Sequence, residues 1–261
     1  MRPEPEIVME EAGFLVVAKP AHLLSHPTRP DGKPSLLNWL QERFPGQFVA
    51  LVNRLDRETS GAVLVARAPE AASKLGALTM QRLIHKEYLA IVAGWVEAEH
   101  GVIDAPLGRL GISETNPIWL RRGVISPDDA AGRKGYPASS EFWRLEANEA
   151  ASLLRLRAHT GRLHQLRVHL AHVGHPVIGD KIYGPDPALY LKFIESGWTE
   201  EHQRVLLLDR HALHAERLAF SWEGAEREIR VALPEDMREL AVRLGLGSVG
   251  RESDSSKRSS S

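Results

Sequence analysis

Asp56 stands between Arg54 and Arg57 in the polar run Asn53-Arg54-Leu55-Asp56-Arg57-Glu58-Thr59-Ser60-Gly61, set between two apolar segments. An acid bracketed by cations is held ionised at neutral pH, because an opposite charge within about 4 to 6 Å favours the charged form. The loop therefore offers a carboxylate, able to attack or to stabilise an electron-poor centre, beside small residues that let another backbone approach. An ordinary surface ion pair would show the same residues. A second concentration of chemistry lies between Arg155 and Lys181, where Arg155, Arg157, Arg162, Arg167 and Lys181 face the single acid Asp180. Five histidines, His159, His164, His169, His172 and His175, are interspersed there. No pair has the HExxH spacing of a zinc helix, and only His169/His172 and His172/His175 share the i, i+3 relation that aims two rings together.

The elements that must carry these residues follow from periodicity. Phe14 to Lys19 reads as a buried strand stopped by Pro20, and Ser35 is placed to cap a short helix, LLNWLQERF. VALVN and AVLVA flank the Asp56 loop as paired strands with the loop at their shared end. Pro69 opens a helix running to about Arg82. LIHKEYLAIVAGWV is a long strand, so Lys86 and Tyr88 point to one face and Glu87 and Leu89 to the other. From Leu107 to Pro137 only loops or an insertion can be read. SSEFWRLEA and ASLLRLRAH form two more strands. Leu163, Leu166, Leu170 and Val173 then recur at helical spacing, with Thr160 as the N-cap, Arg162 in the first turn and Gly174 at the end. ALHAERLAFSW and EREIRVALP read as a closing strand pair, and PEDMRELAVRLGL as a final helix.

The chain of 261 residues is long enough for a substantial core and is read as one catalytic domain over 1–246, followed by a disordered polar tail over 247–261. It contains no cysteine, which excludes disulfides, thiolate metal sites and cysteine nucleophiles and fits a reducing cytoplasm. Its opening apolar run is too short for a membrane span or signal peptide. A net charge of -1 argues against a uniformly basic nucleic-acid binder. It leaves room for a local basic groove.

NRLDRETSG resembles the HRLDxxTSG signature of the RluA-type pseudouridine synthases. Three more segments match that family in the same order: KEYLAIVAG its KxYxAxVxG strand, HTGRLHQLRVHLAHVGHPVIGDKIYG its TGRxHQxRxHxxxxGxPIxGDxxYG block, and RHALHAERLAF its closing LHAxxLxF strand. The matches run from about Phe14 to Pro234, almost the whole chain. Asn53 departs from the family's histidine, and His22 stands where its KPxG segment has glycine.

The resemblance implies an α+β pseudouridine synthase fold with a largely antiparallel mixed sheet, flanking helices and a central active-site cleft. It implies an enzyme that isomerises uridines in structured RNA, ribosomal or transfer, with Asp56 acting at the ribose C1′. Tyr88 would stack on the uracil and take the C5 proton, and Arg162 would pair with the aspartate. Arg54 would enter the space left by the flipped nucleotide, and Lys86, His164 and Arg167 are further phosphate candidates. No cofactor or metal is implied, and a cytoplasmic monomer is expected. No room is expected for the S4-type RNA-binding domain found on many relatives. A catalytically inactive RNA-binding or remodelling protein of the same fold is the alternative, but Asp56, Tyr88 and Arg162 are all present. A small-molecule glycosidase would also use a carboxylate, yet its partner acid cannot be identified.

Overall fold

The computed structural model describes residues 4–27, 33–111 and 116–247. In chain order its elements are β1 (Glu6–Glu11), β2 (Phe14–Lys19), α1 (Leu36–Arg43), β3 (Ala50–Leu51), β4 (Ser60–Ala66), α2 (Pro69–Met80), β5 (His85–Ala93), β6 (His100–Asp104), β7 (Leu107–Arg109) and β8 (Arg122–Val124). There follow β9 (Ser139–Ala147), β10 (Ala151–Ala158), α3 (Gln165–His172), α4 (Ala188–Ser196), α5 (Glu200–Leu206), β11 (Leu213–Trp222), β12 (Ala225–Arg230) and α6 (Glu235–Arg243). The described chain groups into two units, 1–88 with 214–233, and 89–213 with 234–261. The tail beyond Gly247 lies outside the described residues.

In the first unit β4 is buried along its whole length, which period-two geometry explains. Ala62, Leu64 and Ala66 pack with Phe14, Val16, Phe220 and Trp222 against Ala71 and Leu75 of α2. Val63 and Val65 point the other way, with Leu15 and Val17 against Leu36 and Leu40 of α1. A strand covered on both faces must be apolar throughout. Ser35 caps α1 by accepting the Asn38 N–H, as its position predicts. The β1–β2, β2–β4, β3–β4 and β11–β12 pairs are antiparallel, while β4 and β11 run parallel where Ser60 meets His214 and Gly61 meets Ala215.

In the second unit the latter part of β5 borders β10, followed by β9 and β6. The β9–β10 and β6–β9 pairs are antiparallel, and the sheet is thus mixed and mostly antiparallel, an α+β architecture. The 107–137 segment, expected as loops, contains a small two-stranded sheet, β7 with β8. Leu107 and Ile118 there pack on Val168, Ile182 and Tyr183. No described helix is long and apolar enough to cross a membrane.

Candidate active site

The first unit holds the Asp56 loop by its backbone at several points. The Val52 N–H donates to the Leu64 carbonyl at 2.8 Å, after which the chain leaves the sheet. The Asn53 carboxamide takes over, its Oδ1 accepting the Leu64 N–H at 2.7 Å and its Nδ2 donating to the Ala62 carbonyl at 3.3 Å. Next to Asp56, the buried Ser25 hydroxyl accepts the Leu55 N–H at 3.1 Å and donates to the Leu55 carbonyl at 2.8 Å. The Leu55 side chain is buried on the α1 side of the sheet. Lys19, 1% exposed, donates to the carbonyls of Pro20, Leu23 and Arg57 at 2.8, 2.9 and 3.3 Å. A buried ammonium fixed by backbone carbonyls makes the loop rigid. At the far end the Ser60 hydroxyl bonds His214 Nδ1 at 2.9 Å, and His214 Nε2 bonds the Val231 carbonyl at 3.0 Å. Gly61 has φ 115°, and a Cβ there would lie 2.2 Å from the Ala215 carbonyl oxygen. Only glycine fits so close an approach. Asp56 itself is partly exposed, at the tip of this frame.

Tyr88 reaches the same side from β5, packing on the cluster that contains Leu55. Burial pushes its phenol up to about 12, and the Asp56 carboxylate adds to the shift. The charge of Asp56 thus acts on the Tyr88 phenol. Glu87 points to the opposite face, where its carboxylate accepts from Arg217 Nη1 at 3.1 Å, as strand parity requires. Lys86 is partly buried, which lowers its ammonium below the ordinary lysine value. Arg54 is exposed, and its charge, after burial, lowers the imidazole of His26.

In the second unit the turn carrying Arg162 differs from the sequence expectation. Helix α3 begins at Gln165, with His164 at the N-cap in a left-handed conformation, φ 58°. Thr160 caps nothing: its hydroxyl donates to Gln165 Oε1 at 2.6 Å and accepts the Ser139 N–H at 3.2 Å. The same Gln165 oxygen accepts the Arg162 N–H at 3.0 Å, while its Nε2 donates to the Ser139 carbonyl at 2.9 Å. Buried Gln165 thus organises the turn, and Arg162 precedes the helix as an exposed side chain. Its Nε donates to the Pro137 carbonyl at 3.2 Å and its guanidinium carbon lies 5.5 Å from the Tyr136 ring centre.

Arg167 and His164 are engaged inside the fold. The Arg167 guanidinium, 4% exposed, donates to both Asp180 oxygens at 2.6 and 2.8 Å. Asp180 also accepts the backbone N–H groups of Ile182 and Tyr183. Arg167 is thus held inside the fold by a bidentate pair with a buried acid. His164 Nδ1 lies 2.8 Å from the Tyr183 hydroxyl, which accepts the Arg122 N–H at 2.9 Å. Among the other histidines, His169 bonds Ser140 Oγ and the Ala105 carbonyl, His159 bonds Glu141, and His175 bonds the Ala93 carbonyl. Among the described residues no group of three or more histidine or acid side chains is arranged to hold a metal ion. Ser25, Lys19, Gln165 and His214 escaped the sequence reading of the site. The signal for Lys19 was present, a lysine closing an otherwise apolar strand.

The family model described as RNA pseudouridylate synthase matches residues 13–172. The chain belongs to that family. It is 34% identical over 244 residues to ribosomal large subunit pseudouridine synthase D of Nitrosomonas europaea, covering 90% of this chain and 64% of that protein. With the protein of the same name from Yersinia pestis it is 35% identical over 242 residues, covering 90% of this chain and 69% of the relative. Among solved structures, human RNA pseudouridylate synthase domain containing 1 superposes with a TM-score of 0.67 at 26% identity, covering 94% of this chain and 98% of that one. Human RNA pseudouridylate synthase domain containing 4, at 22% identity and a TM-score of 0.71, shares the fold over 92% of each chain.

Proposed function

We propose that this RNA pseudouridylate synthase family member converts uridine to pseudouridine in structured RNA, with Asp56 acting at the ribose C1′. The observation that carries the reading is the juxtaposition of a rigidly framed, partly exposed carboxylate with the raised phenol of Tyr88. The reaction breaks the N1–C1′ bond, turns the uracil, joins C5 to the same carbon and moves the C5 proton. A carboxylate can attack the electron-poor sugar carbon or take a proton from the neighbouring one. Either route neutralises Asp56, as an ester or as an acid.

That neutralisation has a consequence for Tyr88. At neutral pH its phenol keeps its proton, since burial and the Asp56 charge both oppose ionisation. Loss of the Asp56 charge removes one of those two causes and makes the phenol easier to ionise. Tyr88→Phe keeps the stacking surface and loses the hydroxyl. We expect it to bind substrate RNA within about threefold of the parent and to slow tritium release from 5-tritiated uridine by roughly 10² or more, the usual scale for a general acid or base. An unchanged rate would reduce Tyr88 to packing.

Arg162 is assigned to the aspartate on family resemblance. A guanidinium holds a carboxylate by two parallel bonds, which an ammonium cannot reproduce. Arg162→Lys should therefore be harmful despite keeping its charge, and Arg162→Ala should cost little more once Asp56→Ala is present, since groups acting as one unit are non-additive. Full activity in Arg162→Lys, with a salt dependence shallower by about one unit in Arg162→Ala, would make it a phosphate contact instead.

Ribosomal RNA is the proposed substrate, supported by the names of the bacterial relatives, with transfer RNA the second reading. Arg54, Lys86 and His164 are proposed as RNA contacts, whereas the burial of Arg167 beside Asp180 favours a role inside the fold. Mapping pseudouridine across total RNA from cells with and without the gene decides between ribosomal and transfer RNA. We place the protein in the cytoplasm as a monomer, which sedimentation would check.

A further inference from the structure

We infer that Asn53 is a positioning residue for Asp56, its side chain standing in for two missing rungs of the β3–β4 ladder so that the main chain can turn out toward the active site. The inference rests on the proposed role of Asp56. Ala50 pairs with Ala66 and Leu51 with Val65, a register that would next bond the Leu64 N–H to the Val52 carbonyl and the Ala62 carbonyl to the Arg54 N–H. Neither bond is the one observed. The Leu64 N–H instead donates to Asn53 Oδ1 at 2.7 Å, and Asn53 Nδ2 donates to the Ala62 carbonyl at 3.3 Å. One planar carboxamide supplies an acceptor and a donor side by side, as a peptide group does. The backbone of Arg54, Leu55 and Asp56 is released from the sheet while the buried β4 groups stay satisfied. Ser25 then receives the Leu55 backbone in the same manner. The carboxylate therefore sits where the Asn53 amide lets the chain depart, three residues away.

A donor and an acceptor are both needed, so a replacement that loses either one fails. In Asn53→His the neutral ring can accept the Leu64 N–H, and protonation near pH 6.5 removes that acceptor. In Asn53→Asp the carboxylate, ionised from about pH 5.5 upward, accepts from Leu64 but opposes the Ala62 carbonyl. The neighbouring charges of Arg54 and Asp56 move the midpoint of the Asn53→His titration without reversing its sign.

The experiment measures single-turnover rates on substrate RNA from pH 5.5 to 8.5, with RNA affinity in parallel. For Asn53→Ala a rate about 10- to 100-fold lower at unchanged affinity is expected, the scale of a small misplacement of a reacting group. The ratio of Asn53→His to the parent should be level above neutral pH and fall toward acid, whereas that of Asn53→Asp should be low and level throughout. A merely structural asparagine would give a flat Asn53→His ratio. A flat Asn53→His ratio, a fully active Asn53→Asp or a fully active Asn53→Ala would overturn the inference, and the first two variants decide the matter if Asn53→Ala does not fold. Turnover by Asp56→Ala would overturn the reading of Asp56 itself, whereas an inactive Asp56→Ala beside a pH-flat Asn53→His would overturn the role of Asn53 alone.

Discussion

Asp56→Ala should lose tritium release from 5-tritiated uridine by about 10⁴-fold or more, the scale on which removal of a group acting at the reacting centre is felt. Asp56→Asn should be as inactive, because an amide neither attacks a sugar carbon nor accepts a proton at neutral pH. The fold should survive both changes. The loop is held by the Asn53 amide, the Ser25 hydroxyl and the Lys19 ammonium acting on its neighbours, so removing a partly exposed side chain at its tip should shift stability by no more than about 0.5 kcal/mol. RNA affinity should also stay within a few fold, since phosphate contacts carry most of such binding. Substantial turnover by Asp56→Ala would remove the carboxylate from the chemistry.

The largest effect on stability is expected at Arg167 and Asp180. Breaking a buried ion pair by removing one member leaves the other charged and dry, at a cost of about 3–5 kcal/mol. Asp180→Ala and Arg167→Met should each lose that much in urea unfolding, and the double variant should lose less than the sum. The pair also predicts acid sensitivity. Burial raises the Asp180 carboxyl, but the charge and hydrogen bonds of Arg167, with the N–H groups of Tyr183 and Ile182, bring it below its ordinary value. An acid depressed by folding contributes stability that is complete above its unfolded value, about pH 4, and is lost as pH falls through the folded value. His211 acts earlier. Burial and the nearby Arg167 and Arg210 charges hold its imidazole well below the ordinary value. The unfolded chain then takes up that proton first, and stability declines as pH falls below about 6.5. Unfolding at pH 7, 5.5 and 3.5 should resolve two successive losses, with the lower one reduced in Asp180→Ala, other depressed carboxylates such as Asp236 and Glu228 supplying the rest. A loss under 1 kcal/mol at pH 7 in that variant would contradict the assignment.

What the sequence disclosed depended on whether the deciding interaction was local. Strands β2 and β4, the parity of Lys86 and Tyr88 on β5, and the Ser35 cap follow from neighbours a few residues apart, and all were legible. The Thr160 cap was misread because Thr160 and Arg162 both bond the Gln165 side chain, so that the TGR segment forms its own turn and the helix starts later. The pairing of Arg167 with Asp180 was not legible because that partner is 13 residues on, beyond any helical spacing. Strand β1 escaped notice because its alternate acids resemble a solvated leader. Helices α4 and α5 escaped because each is short, with only α5 carrying a side-chain cap. The 107–137 segment contains two three-residue strands, too brief for a periodic signal.

The parallel contact of β4 with β11 gives the Asp56 loop a history as well as a shape. Ser60 and His214 are 154 residues apart, and Gly61 is pressed against Ala215, so one end of the loop depends on a strand made late in synthesis. A chain emerging from the ribosome can pair β2 with β4 at once. It cannot close the Ser60–His214–Val231 anchor until the residues around Val231 are outside. Contacts of such separation form slowly, after the local ones have repaid their entropy. The aspartate is made well before the strand that anchors its loop, so a nascent chain that has not yet reached Val231 carries the Asp56 motif without the frame that fixes it.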